Sequence, residues 1–194
     1  NVLFLMVPLL VLVSPLASPG RVPDGIPVDG EMTFRITADG SPVGTSRYRF
    51  RHGSDTFTVE RTLRIDIDFL YVFEVRYRHR SLGTWKSRSL ASLESRTDFR
   101  GSTYSVRLER DNGSLVLREG RERGRMISPD TGVLPTTWWN PEIRGADRLI
   151  DTQYGRVLDV TIEKVGETEV AGVGVEKAEQ FDISGDLELS VWYG

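Results

Sequence analysis

From Glu31 onward, apolar residues recur at every second position for almost the whole chain. Met32, Phe34, Ile36 and Ala38 alternate with Glu31, Thr33, Arg35 and Thr37, the pattern of a strand with one buried and one wet face. No helix can gather such residues on one side, so the chain must build its core from sheet. A loop through Pro42 and Gly44 leads to a second strand, 45–52, with Ser46, Tyr48, Phe50 and His52 opposite Arg47, Arg49 and Arg51. One parity then runs from Phe57 to His79, far beyond the roughly 3–10 residues of an ordinary strand. Leu70 and Val72 break it, which predicts strands over 56–67 and 71–80 joined at a tight corner. A short strand ends at Trp85, and a strand over 90–99 has mixed parity. Asp111-Asn112-Gly113 marks a hairpin. Further strands are expected at 157–165, 173–183 and 187–193, with turns at Gly166-Glu167 and Gly172. The stretch 120–125, GRERGR, reads as a solvated loop.

The segment 133–145, VLPTTWWNPEIRG, is where the alternation stops. Two of the chain's four tryptophans, Trp138 and Trp139, lie there between Pro135 and Pro141. Thr136 can cap a first helical turn. Asn140, pushed out of the α region by the proline that follows, can cap a second one with Gly145 as its stop. Two short turns hinged at Asn140 are predicted over 136–144. Such an aromatic segment is either the plug of a core or the wall of a pocket.

The 194 residues suit one domain, and a net charge of −3 with interspersed signs argues against nucleic acid as a partner. Arginine supplies nearly all the positive charge, since Lys86, Lys164 and Lys177 are the only lysines. The absence of cysteine excludes disulfides, a thiol nucleophile and a cysteine-ligated metal. Residues 2–13, VLFLMVPLLVLV, followed by the small residues 14–18, read as a signal peptide over 1–18. The run is shorter than the roughly 20 residues of a membrane span, although an anchored form with a longer upstream helix is the alternative. Residues 19–30 then form a lead-in, and 31–194 the β domain, expected to lack its last strand because the chain stops where a turn would follow.

Chemistry is sparsely signalled. His52 and His79 each end a strand on its apolar parity; a metal site of three or four ligands would need a carboxylate besides them, and structural histidines are the expectation. Asp66 and Asp68 lie two apart like a carboxylate pair, but on a wet face beside Arg64. No serine sits in a nucleophile elbow, and Gly172-Val173-Gly174 lacks the helix of a phosphate cradle. Arg61 interrupts an apolar row. Either a bulge turns it outward, or it faces inward, where it must be paired or meet the acidic head of a ligand.

The pieces Val75 to Arg80, Trp85, Ser92 to Asp98, Trp139-Asn140-Pro141 and Val191-Trp192-Tyr193 make the chain resemble a family of exported bacterial proteins, domain of unknown function 6134. The related domain of unknown function 3108 has the same hairpin-rich style. The resemblance implies a final hairpin past Tyr193. It brings no established activity, and so no catalytic residues.

These readings predict a mainly β fold: a single strongly curved antiparallel sheet or open half-barrel, with the 136–144 segment in its concave face. No catalytic residue, metal or cofactor is expected. The leading function is a periplasmic module binding a lipid or other hydrophobic small molecule through Arg61, Phe73, Tyr77, Trp85, Trp138, Trp139 and Asn140. The alternative is a structural or interaction protein of the cell envelope, and a hydrolase ranks last. A groove beneath the tryptophans favours the first, a filled core the second.

Overall fold

Hydrogen bonding joins the alternating segments into an antiparallel meander, each strand beside its sequence neighbour. The strands are β1 (Glu31–Ala38), β2 (Ser41–His52), β3 (Thr56–Phe69), β4 (Phe73–Lys86), β5 (Ser89–Phe99), β6 (Ser102–Asp111), β7 (Ser114–Glu119) and β8 (Arg125–Ile127). A second sheet has the order β13-β12-β11-β10-β9, from β9 (Leu134–Pro135), β10 (Arg148–Ile150), β11 (Val157–Thr168), β12 (Ala178–Gly185) and β13 (Leu189–Tyr193). The fold is mainly β, as the alternation requires, with a large antiparallel sheet and a strongly curved half-barrel sheet. Where one sheet is expected, the strands divide between two. Among the described residues only β9 and β10 run parallel. The computed structural model describes residues 26, 29–38, 41–69, 73–86, 89–111, 114–119, 125–127, 133–168 and 177–193, and the backbone alone at 68–69, 73–74, 118–119 and 125–127. The leader over 1–18, most of the lead-in, the loop 120–124 and the turn at Gly172 lie outside the described residues.

Three differences from the sequence pattern share one cause, the β-bulge. β2 starts at Ser41 and runs through Pro42 and Gly44, because a register shift near Thr37 keeps β1 paired with them. Pro42 pairs with β1 alone, on a stretch where its missing N–H costs no ladder bond to β3. β4 runs unbroken to Lys86, and a shift between Thr84 and Trp85 places Ala91 as the extra residue of β5. Leu90 and Leu93, of opposite parity, are both buried as a result, which explains the mixed pattern there. Gly166 is strand rather than turn, since a shift between Lys164 and Gly166 absorbs Val165 and leaves it 51% exposed.

Two apolar clusters form the core. One lies on the inner face of the large sheet around Phe34, Phe50, Val59, Trp85, Leu93 and Leu108. The other joins Trp138 and Ile143 to Leu149, Leu158, Phe181 and Val191 of the second sheet.

At Gly44 the strands approach so closely that a Cβ would stand 2.1 Å from the carbonyl oxygen of Arg64. Gly44→Ala should therefore lower the urea midpoint, by about 1–3 kcal/mol of stability, through forced displacement of β2 from β3. An unchanged midpoint would contradict this register.

Candidate functional site on the inner face of the large sheet

The non-alternating segment crosses the inner face of the large sheet and joins the two cores. Thr136 N–H donates to the Ile150 carbonyl at 3.0 Å, which carries the β9–β10 pairing one residue further. Two tight turns follow, with Thr137 N–H donating to the Pro135 carbonyl at 2.7 Å and Trp139 N–H to the Thr137 carbonyl at 2.9 Å. At the centre of the second turn Trp138 has φ 63°, the left-handed region that a bulky residue rarely enters. The predicted first helical turn therefore does not form. A helix would set the two indoles on one flank, whereas the positive φ sends them to opposite sides. Burying about 150–250 Å² per indole in separate cores offsets a strain of about 1–3 kcal/mol. The second turn does form, as a 3-10 helix over Pro141–Gly145. Its cap is the predicted one: Asn140 Oδ1 accepts from Glu142 N–H at 3.0 Å.

The proposed ligand-binding set is thereby split. Trp139 packs edge-on against Trp85, Phe50 and Phe57, with centroids 5.3, 5.8 and 5.5 Å away. Trp138 is buried in the second cluster, where its carbonyl accepts from the Tyr193 hydroxyl at 3.1 Å. Asn140 is spent on capping. Tyr77 lies further along β4 against Phe99, its hydroxyl 3.0 Å from Gln153 Oε1. Phe73 opens β4, and its side chain lies outside the described residues.

Arg61 faces inward. No bulge turns it out, since it pairs with Tyr48 and Ser81 in unbroken register and is 6% exposed. Its Nε donates to Ser46 Oγ and its Nη1 to the Thr136 carbonyl, each at 3.3 Å, and its guanidinium lies 5.5 Å from the Tyr48 ring centroid. Its neighbours on this face are polar as well: Ser46, Ser81, Ser95, Thr97 and His79, all buried. Side chains of two strands on this face serve the backbone above them. Tyr48 hydroxyl donates to the Thr137 carbonyl at 2.7 Å, and Ser95 Oγ donates to the Thr152 carbonyl at 2.6 Å. Thr152 N–H in turn donates to Thr136 Oγ1 at 3.2 Å. The only signal in the sequence is small hydroxyl residues on the inner parity of successive strands.

Electrostatics follow burial. Loss of water, with the Arg61 charge second, drives His79 down to about 3, so its ring is neutral at physiological pH. Its Nδ1 lies 2.8 Å from Thr97 Oγ1, while Nε2 has no partner among the described residues. Burial pushes Tyr77 up to about 12 and raises Tyr48 as well. His52 lies at the exposed end of β2 on the Phe57 ring, away from His79. Asp66 is engaged by Arg78 at 2.6 Å, and the Asp68 side chain lies outside the described residues. Among the described residues no group of three or more His, Cys, Asp or Glu could hold a metal.

The space left between Arg61, Ser81, Trp85 and Trp139 is about 10 Å³, room for one water at most. Fold and site together define an all-β protein of two sheets, closed on its inner face by a tryptophan-bearing segment. The chain belongs to the family described as Domain of unknown function (DUF6134), whose model matches residues 34–194. No curated protein and no solved structure matches it.

Two measurements probe this closure. Tyr48→Phe leaves the Thr137 carbonyl buried without its donor and should cost about 1–3 kcal/mol, whereas Trp139→Ala should cost about 3–5 kcal/mol. Denaturant curves of both variants check the order. His79 binds its proton in the unfolded chain near the usual 6.5 but in the folded one only near 3. Its contribution is therefore complete above 6.5 and lost as pH falls towards 3, with a slope of at most about 1.4 kcal/mol per pH unit. His79→Gln should flatten the stability profile in that window.

Proposed function

We propose that this protein is an exported, non-catalytic interaction module of the bacterial cell envelope, and not a carrier of apolar ligands. The observation that carries this reading is the filled inner face, where a void of about 10 Å³ stands in place of the hundreds of cubic ångströms that a ligand pocket needs. Of the residues expected to line a pocket, Arg61 and Trp85 instead hold the segment down. Export rests on the apolar leader over 2–13, and among the described residues no helix is long and apolar enough to cross a membrane. A non-catalytic role is supported by how the titratable groups are used: His79 bonds Thr97, and Asp66 is engaged by Arg78. One observation favours the carrier alternative. Arg61 has no carboxylate within ion-pair distance among the described residues, a vacancy that an acidic lipid head could fill.

Titration of the mature protein with fatty acids, lysophospholipids and isoprenoids separates the two. Under our proposal the tryptophan emission stays flat, and native protein from periplasmic extract elutes above its own mass. A saturable emission change with a monomeric elution would transfer support to the carrier. Processing near residues 17–20 is expected, and intact protein retaining its leader in the cytoplasm would contradict export.

A further inference from the structure

The outer face of the large sheet has an uneven charge pattern that the fold does not require. In register across β2 to β6, Arg47 stands opposite Thr62, Thr62 opposite Arg80, Arg80 opposite Arg96 and Arg96 opposite Ser105. This is a straight row across five strands with three guanidiniums and no acid. In the adjoining row Arg64 faces Arg78. Like charges placed directly opposite destabilise a sheet, and threonine at any of these positions would avoid the repulsion.

Acids stand beside the row and not in it. Glu60 holds Arg80 at 2.7 Å, Asp66 holds Arg78 at 2.6 Å, Asp98 lies 3.3 Å from Arg96, and Glu94 engages Arg107. These pairs fix guanidiniums in place along a surface. Arg47 and Arg64 form no ion pair among the described residues. Between β3 and β6 the surface sinks into an open groove of about 850 Å³, with Leu82 on its wall, 47% exposed.

We propose that this groove binds an extended acidic segment of another polypeptide, its carboxylates on Arg64, Arg80 and Arg96 and an apolar side chain on Leu82. The inference rests on the interaction-module reading and names the partner's chemistry. Guanidiniums held in fixed positions take carboxylates in bidentate fashion at small ordering cost. The groove spans four strands, about 14 Å, the length of four or five extended residues. Glu94 and Asp98 on its walls would repel a uniformly charged polymer but leave room for carboxylates at intervals. No aromatic ring presents a stacking face, since His79 lines the groove by its backbone side while its ring is buried inward, so nucleic-acid bases lack a platform.

The test uses the mature protein and a labelled peptide of alternating glutamate and serine with one central leucine. Saturable binding should weaken roughly tenfold or more in the Arg80→Gln/Arg96→Gln double variant, and should fall as salt rises. Leu82→Ser should weaken it less, and Arg35→Gln on β1 should leave it unchanged. The double variant loses two surface ion pairs but also relieves the Arg80–Arg96 repulsion, so its melting temperature should change little, and lost affinity cannot then be ascribed to unfolding. Absence of saturable peptide binding would overturn the proposal. So would equal or tighter binding of polyglucuronate or of a short DNA strand, either of which identifies a general polyanion surface. If the peptide fails while native protein still elutes in a larger assembly, the groove assignment falls alone. If that assembly is also missing, the interaction reading falls with it.

Discussion

A loop can lie across the buried face of a sheet only if its backbone carbonyls find donors there. In this protein the sheet provides them. Tyr48 on β2, Arg61 on β3 and Ser95 on β5 donate to the carbonyls of Thr137, Thr136 and Thr152. The polar residues that interrupt the apolar parity of the inner face are thus the attachment points of the segment that covers it. Their positions divide the face into an apolar half under Trp139 and a polar half under Thr136 and Thr152. The second sheet follows from the same contact, because the segment delivers Trp138 to the opposite side, where β10 to β13 assemble around it.

The arrangement has electrostatic consequences. A guanidinium with no carboxylate at hand among the described residues costs several kcal/mol to desolvate, and its charge joins burial in keeping His79 neutral. Two weak donations and the face of the Tyr48 ring compensate in part. The inner face is therefore closed but not inert, and any rearrangement that released Thr136 would leave a cation seeking a new acceptor. The outer face also carries unbalanced cations, with opposed arginines in water, where screening makes the cost small.

The alternation made the β class and most strands legible, and the family resemblance agreed with it. Asn140 and Pro141 gave the second turn of the segment because capping is a local property of adjacent residues. What was not legible depended on pairing at a distance. The bulge beside Trp85 decides which parity of β5 faces inward, and no residue within β5 announces it. Arg61 could not be placed before its acceptor, Thr136, was known to lie above it. Tyr48 and Thr137 are 89 residues apart, Ser95 and Thr152 57 apart. The positive φ of Trp138 is likewise imposed by two cores pulling adjacent indoles apart, where local preference alone suggested a helical turn. The sequence marks the tryptophan segment as the organiser, and the choice between plug and pocket wall turns on a volume that no residue pattern encodes.

Amide hydrogen exchange at Thr136 and Thr152 tests the closure most directly. Both N–H groups are bonded inside the molecule, to the Ile150 carbonyl and to Thr136 Oγ1. If the segment is a core plug, both should open only with global unfolding, with protection equal to that of the central amides of β4 and β5. Exchange at either amide far faster than in those strands, with the strands still protected, would mean that the segment swings free as a lid and that the inner face is a pocket after all.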